Sequence, residues 1–311
     1  MHSLLEAAVA GDVRALGKAL SVIEDGTPEV TELLSDLADS NSALLIGVTG
    51  PPGVGKSTTT GALIAEYRKQ SLRVAVLAVD PSSPVTGGAL LGDRIRMQEH
   101  ALDEGVFIRS MSSRGQLGGL SSATQSAAKV LGAVGFDVII VETVGVGQSE
   151  VDVVNAVDTV VLVLAPGAGD GVQAAKAGIL EIADIYVVNK ADRDGAEGVV
   201  RELRSMIGLG SQSKTSWTPE IVTTVATTGQ GLGDLVTAIT KHHDWALASG
   251  DRAARSIERA RLNLRRAVLN AINERLDLNA GTLNALSSQV ASGEISTELA
   301  VRQILQDLSN S

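Results

Sequence analysis

Apolar residues recur along the first part of the chain at the spacing of three and four that is typical of an amphipathic helix. They are Leu4, Leu5, Ala8, Val9, Val13, Leu16 and Leu20. Gly11 interrupts the series, and Asp12 stands where its side chain can cap the start of a second helix. The pattern predicts a helical N-terminal extension over residues 1–40.

The pattern then changes to short runs of Val, Ile and Leu that are separated by helix-length segments. Six such runs occur, at residues 43–48, 73–79, 137–142, 159–165, 185–189 and 220–226. Continuous apolar strands that alternate with helices indicate a mostly parallel sheet covered by helices on both faces. We therefore predict an α/β domain over residues 41–250.

Strand patterns stop after Asp244, and the chain from residue 251 begins as an Arg-rich amphipathic segment. One face of this segment carries Ile257, Ala260, Leu264, Val268 and Ile272. Two interpretations are open: a helix that packs on its own domain, or an arm through which the protein oligomerises.

Composition excludes several classes of protein. The chain has 26 Lys and Arg against 36 Asp and Glu in 311 residues, a net charge of −10 that argues against nucleic-acid binding. It has no Cys, so disulfides, thiolate zinc sites and thiol catalysis are absent. We find no run of about 18 apolar residues and no basic leader before an apolar stretch. We expect a cytoplasmic protein that binds no membrane.

The segment after the first predicted strand contains the pattern G-x-x-x-x-G-K-S. Glycines let the backbone N–H groups turn inward around phosphate oxygens, and the following helix directs its positive end at the anion. Lys56 is expected to reach the β and γ phosphates, and Ser57 to ligate Mg²⁺. The predicted phosphate-binding residues are Gly50, Gly53, Val54, Gly55, Lys56, Ser57 and Thr58.

A second motif indicates which base is bound. Asn189, Lys190 and Asp192 form N-K-x-D at the end of a predicted strand. A carboxylate in this position can accept from the paired N1 and N2 donors of guanine, which adenine lacks. This predicts GTP and GDP as ligands in preference to ATP. After the next strand, Ala226 and Thr227 would present backbone groups to the guanine, unless they only form a turn that a glycine ends.

Acidic residues end two of the predicted strands. Asp80 and Glu142 would lie at the carboxyl edge of the sheet, where carboxylates can hold Mg²⁺, although Asp80 could instead cap a helix. The spacing from Glu142 to Gly145 copies the D-x-x-G of GTPases, so the Gly145 N–H could bind the γ-phosphate. Gln148 is the nearest side chain able to orient a water, or else it is a surface residue. With Lys56, these form the predicted catalytic set.

Five segments together resemble the MeaB/ArgK family of P-loop GTPases, whose human member is the methylmalonic aciduria type A protein. They read GVTGPPGVGKST, VAVLAVDPSSPVTGGALLGDRIRM, RSMSSRGQLGGLS, FDVIIVETVGVGQSEVDV and VVNKAD. The resemblance implies a G-protein chaperone that gates cofactor loading of an adenosylcobalamin-dependent acyl-CoA mutase, usually methylmalonyl-CoA mutase, and protects it. It also implies a homodimer, with residues 251–311 as the dimerisation arm.

The resemblance adds further site residues. It places Asp93 with Asp80 and Glu142 around Mg²⁺, and it makes the segment around Asp93 a first switch and residues 142–150 a second. Residues 165–176 resemble a third switch that senses the partner; its polar residues are Asp170, Gln173 and Lys176. Hydrolysis is expected to be slow without a partner. Four arginines are candidate charge stabilisers or else structural residues: Arg94, Arg96, Arg109 and Arg114.

Two other functions share this architecture. A metal-delivery GTPase for nickel enzymes would need soft or imidazole ligands, and the adjacent pair His242 and His243 suits one metal poorly. A kinase or ATPase linked to periplasmic transport of lysine, arginine and ornithine is an older label of the ArgK branch. A kinase needs an acceptor base beside the γ-phosphate, and no pattern in the chain assigns one.

Overall fold

In the computed structural model, the described residues are 3–27, 29–35, 37, 43–80, 100, 102–112, 119–143, 156–167, 183–209, 217–278 and 280–310. The chain divides into two compact units, Met1–Arg255 and Ser256–Ser311. The boundaries that we predict at residues 40 and 250 stay predictions.

Seven strands form one sheet in the first unit. They are β1 (Leu44–Thr49), β2 (Val74–Asp80), β3 (Val106–Ser112), β4 (Val138–Thr143), β5 (Thr159–Leu164), β6 (Ile185–Val188) and β7 (Glu220–Thr223). Their order is β3-β2-β4-β1-β5-β6-β7, and every neighbouring pair is parallel. The predicted fold class, an α/β P-loop architecture with a parallel sheet, is confirmed.

The described helices are α1 (Ser3–Val9), α2 (Val13–Asp25), α3 (Glu29–Ser35), α4 (Lys56–Lys69), α5 (Gly119–Ala133), α6 (Ala196–Leu209), α7 (Leu232–Ser249), α8 (Asp251–Leu278), α9 (Ala280–Ala291) and α10 (Thr297–Asn310). Helices α4 to α7 alternate with strands, as the change of pattern after residue 43 predicts. Because each strand is parallel to its neighbour, the chain must return along the sheet between strands, and α4, α5 and α6 lie in these connections, whereas α7 follows the last strand.

The apolar pattern does not predict strand β3. It contains Arg109, Ser110 and Ser112 among its apolar residues, so it lacks a continuous apolar run. It lies at the edge of the sheet and pairs only with β2 among the described strands. An edge strand is covered less completely than a central one, and its sequence therefore carries a weaker apolar signal.

Successive residues of the strands bury their side chains on opposite faces of the sheet. Ile139 and Val141 of β4 belong to the same buried cluster as the N-terminal helices, whereas Val138 and Ile140 pack with α4 and α7 on the other face. Both faces are therefore covered, which explains why β4 reads as an unbroken apolar run.

The N-terminal helices complete one face of the core. Asp12 caps α2 as predicted, since its Oδ1 accepts from the backbone N–H of Arg14 at 2.8 Å and of Ala15 at 3.2 Å. Leu16 and Leu20 are buried in the same cluster as the sheet. Helices α1, α2 and α3 thus contribute to the hydrophobic core of the first unit.

Helix α8 begins in the first unit and continues into the second. Its apolar stripe is solvent-exposed, with 71% exposure at Ile257 and 68% at Leu264. Within the described part of the chain, no helix has both the length and the hydropathy needed to cross a lipid bilayer.

Candidate nucleotide-binding site

The loop between β1 and α4 has a backbone that only glycine allows at two positions. Gly50 has a φ of 144°, and a Cβ there would lie 2.1 Å from the Val163 carbonyl oxygen. Gly55 has a φ of 97°, and its Cβ would lie 2.5 Å from Asn189 Nδ2. Both approaches would be severe clashes, so these glycines let the loop lie against β5 and the residue after β6.

Lys56, the first residue of α4, lies over the mouth of this loop. Its side chain is 7% exposed, and its Nζ donates to the carbonyl oxygens of Gly50 at 2.8 Å and Pro51 at 3.0 Å. A phosphate oxygen is a stronger acceptor for an ammonium group than a neutral carbonyl. The amino group is therefore placed where an anion bound in the loop can replace a carbonyl as its partner.

Ser57 and Glu142 meet at the carboxyl edge of the sheet. The Ser57 hydroxyl donates to Glu142 Oε1 at 2.5 Å, although 85 residues separate them in sequence. β4 pairs directly with β1, with Glu142 opposite Val48, and this register brings the carboxylate to the start of α4. Hydroxyl and carboxylate oxygens are hard donors of the kind that Mg²⁺ prefers, so this pair fits the predicted ion.

The guanine motif is joined to the phosphate loop by hydrogen bonds. Asn189 follows β6, is 3% exposed, and donates from Nδ2 to the Val54 carbonyl oxygen at 2.9 Å. Lys190 has a φ of 57° and donates from Nζ to the Gly53 carbonyl oxygen at 2.6 Å. The structure thus brings together two motifs that lie more than 130 residues apart, as a shared nucleotide site requires.

The other predicted guanine contacts lie beside this junction. Asp192 and Thr227 are exposed. The Ala226 N–H donates to Asn189 Oδ1 at 3.1 Å, so in this structure it positions the asparagine. Contacts of Asp192, Ala226 and Thr227 with guanine stay predictions.

Thr224 also belongs to this junction, although no motif in the sequence indicates it. Its hydroxyl, which is buried, donates to Asn189 Oδ1 at 3.2 Å, and its carbonyl oxygen accepts from the Ala191 N–H at 3.0 Å. Thr224 therefore forms hydrogen bonds with two residues of the guanine motif, Asn189 and Ala191. The only sequence signal was its place directly after a strand, which many threonines share.

Several predicted residues fall outside the described part of the chain. They are Asp93, Arg94, Arg96, Arg114, Gly145, Gln148, Asp170, Gln173 and Lys176. The structure describes Asp80 only as the last residue of β2, without its side chain. Roles for all of these residues stay predictions.

Arg109 is a structural residue rather than a charge stabiliser for phosphate. Its guanidinium pairs with Glu24 at 2.9 Å and donates to the Gly17 carbonyl oxygen at 2.9 Å. These partners belong to α2, which packs on one face of the sheet, so α2 holds the guanidinium in this structure. Its alternation with apolar residues along β3 places it on that face.

Comparison with known proteins decides between related P-loop families. A family model described as methylmalonyl Co-A mutase-associated GTPase MeaB matches residues 16–280. The chain belongs to the MeaB family. The resemblance inferred from the five motifs is therefore confirmed.

Three relatives of this MeaB-family chain illustrate the range of the similarity. A putative GTPase of Pyrococcus horikoshii is 44% identical, over 99% of this chain and 98% of its own length. The mitochondrial methylmalonic aciduria type A homolog of Mus musculus is 39% identical, over 68% of this chain and 51% of its own length. A solved structure of an LAO/AO transport system kinase has a TM-score of 0.71 at 28% identity, covering 99% of both chains.

Family membership and the joined motifs have a direct enzymatic consequence. This MeaB-family chain is a P-loop GTPase and hydrolyses GTP. The glycine loop, Lys56 and the Ser57–Glu142 pair lie together at one edge of the sheet.

Proposed function

We propose that this GTPase is a chaperone of an adenosylcobalamin-dependent acyl-CoA mutase, and that this mutase is methylmalonyl-CoA mutase. In this role the GTP-loaded protein gates loading of intact cofactor and protects the mutase. The observation that supports the mutase role is the family match over residues 16–280, whose description names that enzyme. The mouse homolog, named for methylmalonic aciduria, adds support.

At the nucleotide site, we assign the phosphates to the loop from Gly50 to Thr58 and the guanine to Asn189, Lys190 and Asp192. Lys56 exchanges its carbonyl partners for β- and γ-phosphate oxygens. Ser57 and Glu142 hold Mg²⁺, together with Asp80 and Asp93. When bound, the ion neutralises charge on the phosphates.

Hydrolysis in this scheme depends on residues that follow Glu142. Gly145 gives its N–H to the γ-phosphate, and Gln148 orients the attacking water. Loss of the γ-phosphate then releases this segment, which is how a GTPase switch reports hydrolysis. We assign contact with the partner to the third switch, with Asp170, Gln173 and Lys176 as its polar residues.

Binding to purified mutase tests the proposal. We expect the GTP-loaded chain to form a complex with methylmalonyl-CoA mutase and its GTPase rate to rise in the complex. The two measurements are complex formation by light scattering and phosphate release with and without mutase. Absence of both effects, with this mutase and with an isobutyryl-CoA mutase, would contradict the proposal.

We also propose that the protein is a cytoplasmic homodimer that uses residues 251–311. The exposed stripe of α8 supports this, because a run of exposed large apolar residues is typical of an interaction surface. Light scattering should give twice the chain mass of 32.0 kDa. The double substitution Leu264→Asp and Val268→Asp should give single chains, whereas Val9→Asp on α1, an exposed valine outside residues 251–311, serves as the control. A wild-type particle with the mass of one chain would overturn the homodimer proposal.

A kinase function is the alternative with a specific observation behind it, the name of the solved structure with a TM-score of 0.71. The kinase function predicts that a labelled γ-phosphate of GTP is transferred to a protein acceptor, such as an amino-acid-binding protein. The chaperone function predicts that all of the label is released as inorganic phosphate. One experiment with labelled GTP separates the two.

A further inference from the structure

An open groove lies at the amino edge of the sheet, on the side away from the phosphate loop. It has a volume of about 660 Å³, within the range of about 300–1,000 Å³ for binding pockets. Its walls come from the α1–α2 junction, the start of β3, and the chain segments that precede β2 and β4. None of the nucleotide-site residues lines it.

The floor of the groove is apolar and aromatic. It contains both phenylalanines of the chain, Phe107 and Phe136, whose ring centroids are 6.0 Å apart. The Arg73 guanidinium lies 4.5 Å from the Phe136 centroid and donates to the Val134 carbonyl oxygen at 2.9 Å. These contacts hold the ring of Phe136 in place, so the floor is pre-formed.

The rim carries apolar side chains that the free chain leaves in water. Leu102 is 96% exposed and Val13 is 65% exposed, and both line the groove. A pocket for a small molecule encloses most of its ligand, so a small ligand here would leave these rim residues exposed. An apolar floor surrounded by exposed apolar residues resembles the hot-spot anatomy of a protein interface.

The charge of the rim restricts the partner further. Asp12, Asp103 and Glu104 line the groove, against Arg73 as the one lining cation among the described residues. Asp103 is paired with Arg68 at 2.9 Å and the Asp12 carboxylate caps α2, so the lining residues keep a net negative charge. Acidic groups at a rim select partners with basic residues at matching positions.

We propose that this groove is a docking site for the mutase, and that it takes a mutase segment with bulky apolar anchors flanked by Lys or Arg. This inference rests on the proposed function. The groove is separated from the phosphate loop by the length of β2, seven residues at about 3.3 Å each. Docking there leaves Lys56 and the Ser57–Glu142 pair at the carboxyl edge uncovered.

Two substitutions in the GTP-loaded full-length chain test the docking site with methylmalonyl-CoA mutase as the probe. Leu102→Asp should raise the dissociation constant about tenfold or more, because it removes an apolar contact and places a charge in the interface. Glu104→Lys should raise it about threefold at low ionic strength, and the effect should shrink at about 0.5 M salt. Both residues are exposed, so neither change should disturb folding.

Matched controls lie outside the groove. Leu247→Asp changes a leucine of 51% exposure on α7, and Glu197→Lys reverses an exposed acid on α6. Both controls should bind the mutase within about twofold of the wild type. GTP affinity should be the same in all four variants.

The outcomes separate the two proposals. Failure of the wild type to bind any mutase overturns the chaperone function, and the groove loses its assigned partner with it. Wild-type binding that survives both groove substitutions overturns the docking site alone. A change in the number of chains per particle in Leu102→Asp would identify a second copy of this chain as the occupant, and would also overturn it.

Discussion

The two edges of the same sheet hold their charged groups in different ways. At the carboxyl edge, the ammonium groups of Lys56 and Lys190 donate to backbone carbonyl oxygens of the phosphate loop. At the amino edge, Arg255 forms two hydrogen bonds with Asp184, at 2.8 and 3.1 Å. A neutral carbonyl can be exchanged for a phosphate oxygen, whereas a buried carboxylate cannot lose its cation without a large cost.

The amino-edge network consists of Thr159, Asp184, Trp217, His242 and Arg255. His242 is fully buried, with Nε2 at 3.3 Å from Asp184 Oδ1 and Nδ1 at 2.8 Å from Thr159 Oγ1. The Trp217 indole donates to the Asp184 carbonyl oxygen at 2.8 Å. Burial alone would raise the pKa of Asp184, but hydrogen bonds from His242 and Arg255 outweigh it and hold that pKa below its ordinary value.

This contrast indicates that the carboxyl edge serves ligand binding and the amino edge serves stability. Groups at the carboxyl edge are positioned for a ligand, so their loss should reduce activity and leave stability nearly unchanged. Groups at the amino edge are buried and paired around Asp184, so their loss should reduce stability and leave nucleotide affinity nearly unchanged. Four substitutions, each with a matched control, test this division.

Lys56→Ala should give the largest effect, a fall in kcat/KM for GTP on the order of 10²–10³-fold, because it removes a charge aimed at the phosphates. Its midpoint of thermal unfolding should stay close to that of the wild type. Lys69→Ala removes an exposed lysine from the end of the same helix and serves as the control. Activity within about threefold of the wild type would remove Lys56 from the site.

Arg255→Leu should lower the free energy of unfolding by about 3 kcal/mol, because Asp184 is left buried with less compensation. GTP affinity of the folded protein should not change. Urea unfolding measures the free energy of unfolding, and nucleotide titration measures the GTP affinity. In Arg261→Leu, an exposed arginine further along α8 is lost, and stability should change by less than about 0.5 kcal/mol. Equal effects of the two changes would contradict the role of the network.

Asp192→Asn should weaken GTP binding about tenfold and improve binding of xanthosine triphosphate, because the amide replaces one acceptor by a donor. Binding assays with the two nucleotides measure the change of preference. Asp194→Asn changes an exposed acid two residues away and should leave the preference as in the wild type. Unaltered GTP affinity in Asp192→Asn would mean that this residue does not contact the base.

The smallest effect concerns acid stability. The folded pKa of Asp184 is lower than its ordinary value of 3.8, so the unfolded chain takes up a proton first as the pH falls. The stabilisation from Asp184 is complete well above pH 4 and is lost as the pH drops through the folded pKa. Between about pH 5 and pH 3, the unfolding free energy should fall more steeply in the wild type than in Asp184→Asn. If the unfolding free energy falls equally steeply with pH in both proteins, Asp184 does not have this role. Asp234→Asn, which changes an exposed acid, is the control.

Much of this protein is determined by short stretches of sequence. The cap at Asp12, the P-loop and six of seven strands follow from local backbone preferences and apolar periodicity, which act over a few residues. Gly50 and Gly55 likewise occupy backbone conformations that their residue type permits. These features needed no knowledge of which strands are neighbours.

Strand order decided the rest. The contact of Asn189 with Val54, the Ser57–Glu142 pair and the network around Asp184 all join segments that are distant in the chain. Edge strand β3, the turn of Arg109 towards α2 and the groove beside Leu102 also depend on which elements pack together. Apolar periodicity predicts whether a residue is buried or exposed, but it does not predict which other residue it contacts. That choice belongs to the tertiary structure, because side chains meet only after the sheet has brought their strands to one edge.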